Sequence, residues 1–208
     1  MKRAAVGFRV HSGWAALVAV CVEKGVPRAL ARERVHLVET FSYRFRQPYH
    51  TAEKMPLDEA REFVAGVEKE SQELAYRAIR GLRMELQKQG IELKHCALLL
   101  ASGKPLPRFE NVLASHALIH TADGELFREA LSRASARCSI ETVRIKEKEL
   151  IECARQTLRA QPAVLLRRVT DLGKPFGSPW SQDEKFATLA AWLALTSRDG
   201  DFRAQGKN

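Results

Sequence analysis

No run of about eighteen apolar residues occurs in the 208-residue chain, so it offers no ordinary membrane-spanning helix. The stretch "AALVAVCV" (residues 15–22) is too short for one. "MKRAAVGFRV" lacks the apolar centre and small-residue cleavage site of a secretion signal. The cytoplasm is the address to expect. The four cysteines, Cys21, Cys96, Cys138 and Cys153, form no CxxC or other close metal-ligand spacing. Cys21 and Cys96 lie in apolar, strand-like runs and read as buried free thiols. No Walker A, GxGxxG or HExxH motif occurs, which removes support for a P-loop or dinucleotide-binding fold. No internal repeat and no low-complexity segment occurs either.

What is there is a globular composition, 45% hydrophobic and 28% charged, in a length that suits one domain over 1–208. The net charge of +9 is uneven. Residues 1–50 hold nine Lys and Arg against three acids, residues 51–90 seven against eight, and the rest eighteen against fourteen. A basic first quarter is compatible with a phosphate-bearing partner.

Periodicity gives the elements. Ala4–His11 and Trp14–Val22 read as two strands on a tight turn at "HSG", and Ala29–Glu39 alternates as a third. Residues 40–56, "TFSYRFRQPYHTAEKMP", are aromatic and basic without clear period, an inserted loop long enough to suggest function. A helix is expected from Pro56 to about Gln89, then a buried strand "IELKHCALLLAS". A second irregular insertion, with one short helix in it, covers 103–124. A helix over 125–138, a strand "SIETVRIKE" and a helix "KELIECARQTLRA" follow, then a Gly/Pro loop "VTDLGKPFGSPW". The last helix, "SQDEKFATLAAWLALTS", carries Ser181 and Glu184 at capping-box spacing, with Trp180 placed to staple it onto the sheet. Residues 198–208 read as a frayed tail.

This order, three strands and then alternating helix and strand, resembles the ribonuclease H-like α/β fold, nearest the RuvC-type resolvases. The matching stretches are "VGFRVHSGWAALVAV", "HCALLLASGKP" and "PWSQDEKFATLAAWLAL". The resemblance implies a five-stranded mixed sheet of order 3-2-1-4-5. Ligands would then bind at the C-terminal ends of the first and fourth strands. It also implies two divalent metals on carboxylates: an Asp on the first strand, a Glu near the end of the fourth, and acids on the last helix. This chain departs from that pattern. The first strand carries Arg9 and His11 where the Asp belongs, and "CALLLAS" has no acid. Only Asp183 and Glu184 remain.

Two functional readings follow. The first is a diverged domain that binds nucleic acid without the usual two-metal site. Its phosphate and base contacts would come from Arg44, Arg46, Tyr49 and His50 in the aromatic, basic loop, and from Lys104 after the fourth strand. The second is a metal-assisted hydrolase or nuclease centred on His11, His116, His120 and Asp183. Histidines with nearby carboxylates suit Zn²⁺ or a similar divalent ion, whose identity the spacing leaves open. His50, Asp123 and Glu125 lie near that set in the expected fold. Two geometric expectations accompany these readings. His11, Ser102 and at least one of His116 and His120 line a common cleft. Arg9 or His11 pairs with Asp183 or Glu184, because a half-buried guanidinium needs an anion.

Overall fold

Alternation along the first strand sends Ala4, Val6, Phe8 and Val10 to one face and Ala5, Gly7, Arg9 and His11 to the other. Both faces are covered, so the strand is apolar until its last residues. In the computed structural model, which describes residues 2–101 and 105–196, this strand is β1 (Lys2–His11). It pairs antiparallel with β2 (Trp14–Glu23), which pairs antiparallel with β3 (Val26–His36). Two short helices, α1 (Tyr43–Arg46) and α2 (Pro48–Ala52), precede the long α3 (Leu57–Lys88). Then come β4 (Ile91–Leu100), α4 (Phe109–Leu113), α5 (His116–Arg137), β5 (Glu141–Lys146), α6 (Leu150–Leu158), α7 (Pro162–Leu172) and α8 (Gln182–Thr196). β4 runs parallel to both β1 and β5, and the sheet order is 3-2-1-4-5, as expected.

Two apolar layers sandwich the sheet. The α3 and α5 layer covers Val6, Phe8, Leu17 and Leu98, while α6, α7 and α8 cover Ala5, Val18, Ala97 and Leu99. Cys21, Cys96 and Cys138 are buried free thiols and Cys153 is half-buried; burial pushes Cys96 up to about 12. Among the described residues, no helix is long and apolar enough to cross a membrane.

Several sequence expectations need correction. The 40–56 insertion is not structureless: it holds α1 and α2, whose Pro48 sits at a helix start where a missing N–H costs nothing. Within 103–124, the one short helix expected there is α4, but α5 begins at His116 rather than at 125. "HALIHTAD" looked irregular because its apolar positions are few, but Ile119 and Ala122 pack into a small core with Val112. β3 starts three residues early, at Val26, because an edge strand needs little apolar alternation. "VTDLGKPFGSPW" is only partly a loop, since its first four residues end α7. Trp180 staples α7 rather than the sheet: its Nε1 donates to Val169 O at 2.9 Å, and its ring lies against Gly173. The 198–208 tail lies outside the described residues.

α8 approaches β1 most closely at Gly7, where a Cβ would overlap the carbonyl oxygen of Ala187. Backbone, not a flexible side chain, fills that space. Gly7→Ala is therefore expected to destabilise the fold by about 1–3 kcal/mol, the usual cost of overpacking. Thermal unfolding followed by circular dichroism checks this; an unchanged Tm would mean that α8 does not sit this close.

Candidate functional site

Three parallel strands, β1, β4 and β5, end at the same edge of the sheet, and the N-terminus of α8 meets β1 there. Arg9 projects from β1 toward α8. Its Nε and Nη2 donate to the two carboxylate oxygens of Glu147, at 3.1 and 2.7 Å, a bidentate pair. Its Nη1 donates to Asp183 Oδ1. His11 Nε2 lies 2.9 Å from the same Asp183 oxygen. The arginine thus bridges the residue after β5 to the first turn of α8. The Glu147 hydrogen bond is the main force raising the Arg9 pKa, with burial opposing it and Asp183 adding to it. The Arg9 guanidinium carbon lies 5.3 Å from the centroid of the Phe186 ring. Glu184 takes no part: its carboxylate accepts from the Ser181 backbone N–H and hydroxyl, the capping half expected of it. The expected pairing of Arg9 and His11 with Asp183 is therefore present. Glu147 was missed, although the same edge argument, carried one strand further to β5, points to it.

Beside this cluster runs a row of rings and cations. His11 stacks on Trp14 with centroids 4.4 Å apart and planes 11° from parallel. The Arg34 guanidinium lies 3.9 Å from the Trp14 centroid on the adjoining strand. Phe41 follows, 5.6 Å from Arg34 and 4.5 Å from Arg46. Arg46 is anchored by donating to Ser12 O and packs over Gly13, whose φ of +79° makes the β1–β2 turn. Arg34, His36, Phe41, Tyr43 and Arg44 are exposed. Of the loop residues expected to touch nucleic acid, Arg44 and Arg46 belong to this region. Tyr49 and His50 do not, since α2 turns them inward: the Tyr49 N–H and His50 Nδ1 both engage Asp123, at 2.7 and 2.5 Å. Lys104 lies outside the described residues.

The expected common cleft does not form as drawn. His11 belongs to the α8 face, whereas His116 and His120 stand on α5, in the opposite layer, beside His50. The reason is alternation: Val10 enters the α3 and α5 core, so His11 must face away from it. Ser102 lies outside the described residues. A cleft of about 290 Å³ lined by Tyr49, Leu106, Ala122, Glu68, Glu125 and Glu129 adjoins neither Arg9 nor Asp183. Each of its three glutamates is engaged by Arg128 or Arg133.

No family model matches the sequence, and no curated protein matches it. Solved structures do. RuvC of Thermus thermophilus superposes with a TM-score of 0.56 at 13% identity, over 95% of this chain and 97% of that one. The same protein in complex with a Holliday junction substrate gives 0.53 at 12%, over 95% and 96%. The chain has the RuvC-type ribonuclease H-like fold.

In this RuvC-type frame the residues do not fit a pair of divalent metals. Among the described residues, β1 and β4 place no carboxylate at the shared edge, and Glu147 and Asp183, which reach it, are spanned by a guanidinium. One guanidinium offsets the charge of one of the two carboxylates and occupies three of their four oxygens, and its fixed positive charge repels Mg²⁺. The arginine instead acts as a protein-supplied cation that holds the edge together. Arg9 and Asp183 are only one-fifth exposed, so the pair lies between surface and buried bridges in strength. Arg9→Met is expected to cost about 1–3 kcal/mol by leaving Glu147 and Asp183 facing one another. Adding Glu147→Gln and Asp183→Asn should restore part of that loss in urea denaturation. Equal or greater loss in the triple variant would show that the carboxylates do not repel there.

Proposed function

We propose that this chain is a diverged RuvC-type domain that binds nucleic acid, preferring unpaired stretches, and that it does not cut by the two-metal route. The observation that carries the reading is the row His11–Trp14–Arg34–Phe41–Arg46 along the sheet edge. Rings offer faces on which unstacked bases sit, and guanidiniums both meet phosphates and stack on those rings. Duplex DNA keeps its bases stacked and would use only the cations. Further support is the surrounding charge: residues 1–50 carry nine Lys and Arg against three acids. The shared fold supports the same direction, since the Thermus thermophilus RuvC was solved on a Holliday junction substrate. The Arg9 bridge to Glu147 and Asp183 supports the absence of two-metal cleavage. A metal-assisted hydrolase that uses His11, Asp183, His116 and His120 together loses support, because those residues fall in two clusters on opposite layers.

The test is fluorescence anisotropy with a labelled single strand, a duplex and a four-way junction. Single strands and the unpaired parts of the junction should bind tightest, with affinity falling steeply as salt rises. Trp14→Ala removes no charge yet should weaken single-strand binding about tenfold or more, the range of one lost stacking platform. Arg34→Ala should weaken it similarly and flatten the salt dependence. Equal binding by wild type and Trp14→Ala, or no salt-dependent binding at all, would overturn the reading.

A further inference from the structure

Three imidazoles meet on the α5 side of the sheet, apart from the Arg9 cluster. His116 and His120 are four residues apart and so share one face of α5. His50, in the middle of α2, closes the group: its ring centroid lies 4.4 Å from that of His120 and 5.4 Å from that of His116. The Nε2 atoms of His116 and His120 are 3.1 Å apart, and one nitrogen from each of the three rings lies within 4.8 Å of the others. A tetrahedral Zn²⁺ with bonds of about 2.0–2.1 Å needs ligand nitrogens about 3.3 Å apart. The cluster brackets that separation.

The surroundings prepare the nitrogens as ligands. Asp123 is nearly buried and accepts from His50 Nδ1 and from the Tyr49 backbone N–H. Burial raises the Asp123 pKa, and the His50 hydrogen bond opposes that rise. With Nδ1 donating to a carboxylate, the His50 lone pair resides on Nε2. A carboxylate behind an imidazole fixes the tautomer and raises the basicity of the metal-facing nitrogen. His116 opens α5 and His120 stands one turn further along it. Three rings so arranged gain little from packing, since His116 and His120 are exposed.

We propose that His50, His116 and His120 form a site for one divalent transition ion, Zn²⁺ by the chemistry of three converging imidazole nitrogens, with Asp123 orienting His50. Exposure of His116 and His120 leaves a fourth position open to water. Imidazole nitrogen selects such ions over Mg²⁺ and Ca²⁺, which take oxygen. The site shares no residue with the nucleic-acid row, although Arg46 of that row lies only four residues before His50.

The test uses the full chain without a histidine tag, stripped with chelator and titrated with ZnCl₂ by calorimetry. One Zn²⁺ per chain is expected, with a rise in Tm on binding. Asp123→Asn should weaken binding about 10–100-fold. The double variant His116→Ala, His120→Ala alters only exposed side chains, so it should stay folded by circular dichroism while losing the site. His36→Ala should bind like wild type. An excess of Mg²⁺ should not compete. No saturable Zn²⁺ uptake, uptake by the double variant as tight as by wild type, or loss in His36→Ala would overturn the proposal.

Discussion

The edge of the sheet where the site lies is held by one side chain. Arg9 leaves β1 and reaches Glu147 after β5 on one side and Asp183 at the start of α8 on the other. Three elements distant in sequence are thus tied by one guanidinium. Without its charge the two carboxylates would face each other in a partly buried place, where like charges are costly. With it, the fold gains a fixed cation at the topological switch point, where open α/β sheets ordinarily hold a ligand. The register of β1 against β4 and the close approach of α8 at Gly7 place the arginine there.

Much of this was legible in the sequence, for physical reasons that can be named. Alternation along "AAVGFRVH" put Arg9 and His11 on one face, and the order of elements set the sheet. Asp183 stood out as the acid left over once Glu184 was given to the cap. Glu147 was missed because the edge argument stopped at β4, one strand short of β5, which Glu147 directly follows. The α7 helix was missed because its Gly/Pro-rich exit hid the apolar face of Leu165 and Val169. The grouping of histidines was half legible: His116 and His120 share a helical spacing, but α5 was started too late. Linking them to His11 ignored that Val10 commits the strand's other face to the α3 core. His50 was counted with the other histidines from the sequence, but its hydrogen bond to Asp123 depends on α2, which was read as loop.

The two clusters divide the molecule by chemistry. On the α8 face, two carboxylates are bridged by one arginine, and the neighbouring surface is rings and cations. On the α5 side, a buried carboxylate backs one of three imidazoles whose ring nitrogens converge. At the switch point of this RuvC-type fold stands a guanidinium of the protein's own.

The claim on which this account rests is that Arg9 takes the metal place. Calorimetric titration with MgCl₂ and MnCl₂, on protein whose His116 and His120 are both alanine, tests it without interference from the histidine cluster. The account predicts no saturable binding of either ion and no cleavage of single strands, duplexes or junctions. Binding of two ions per chain, with cleavage lost in Asp183→Asn, would contradict it.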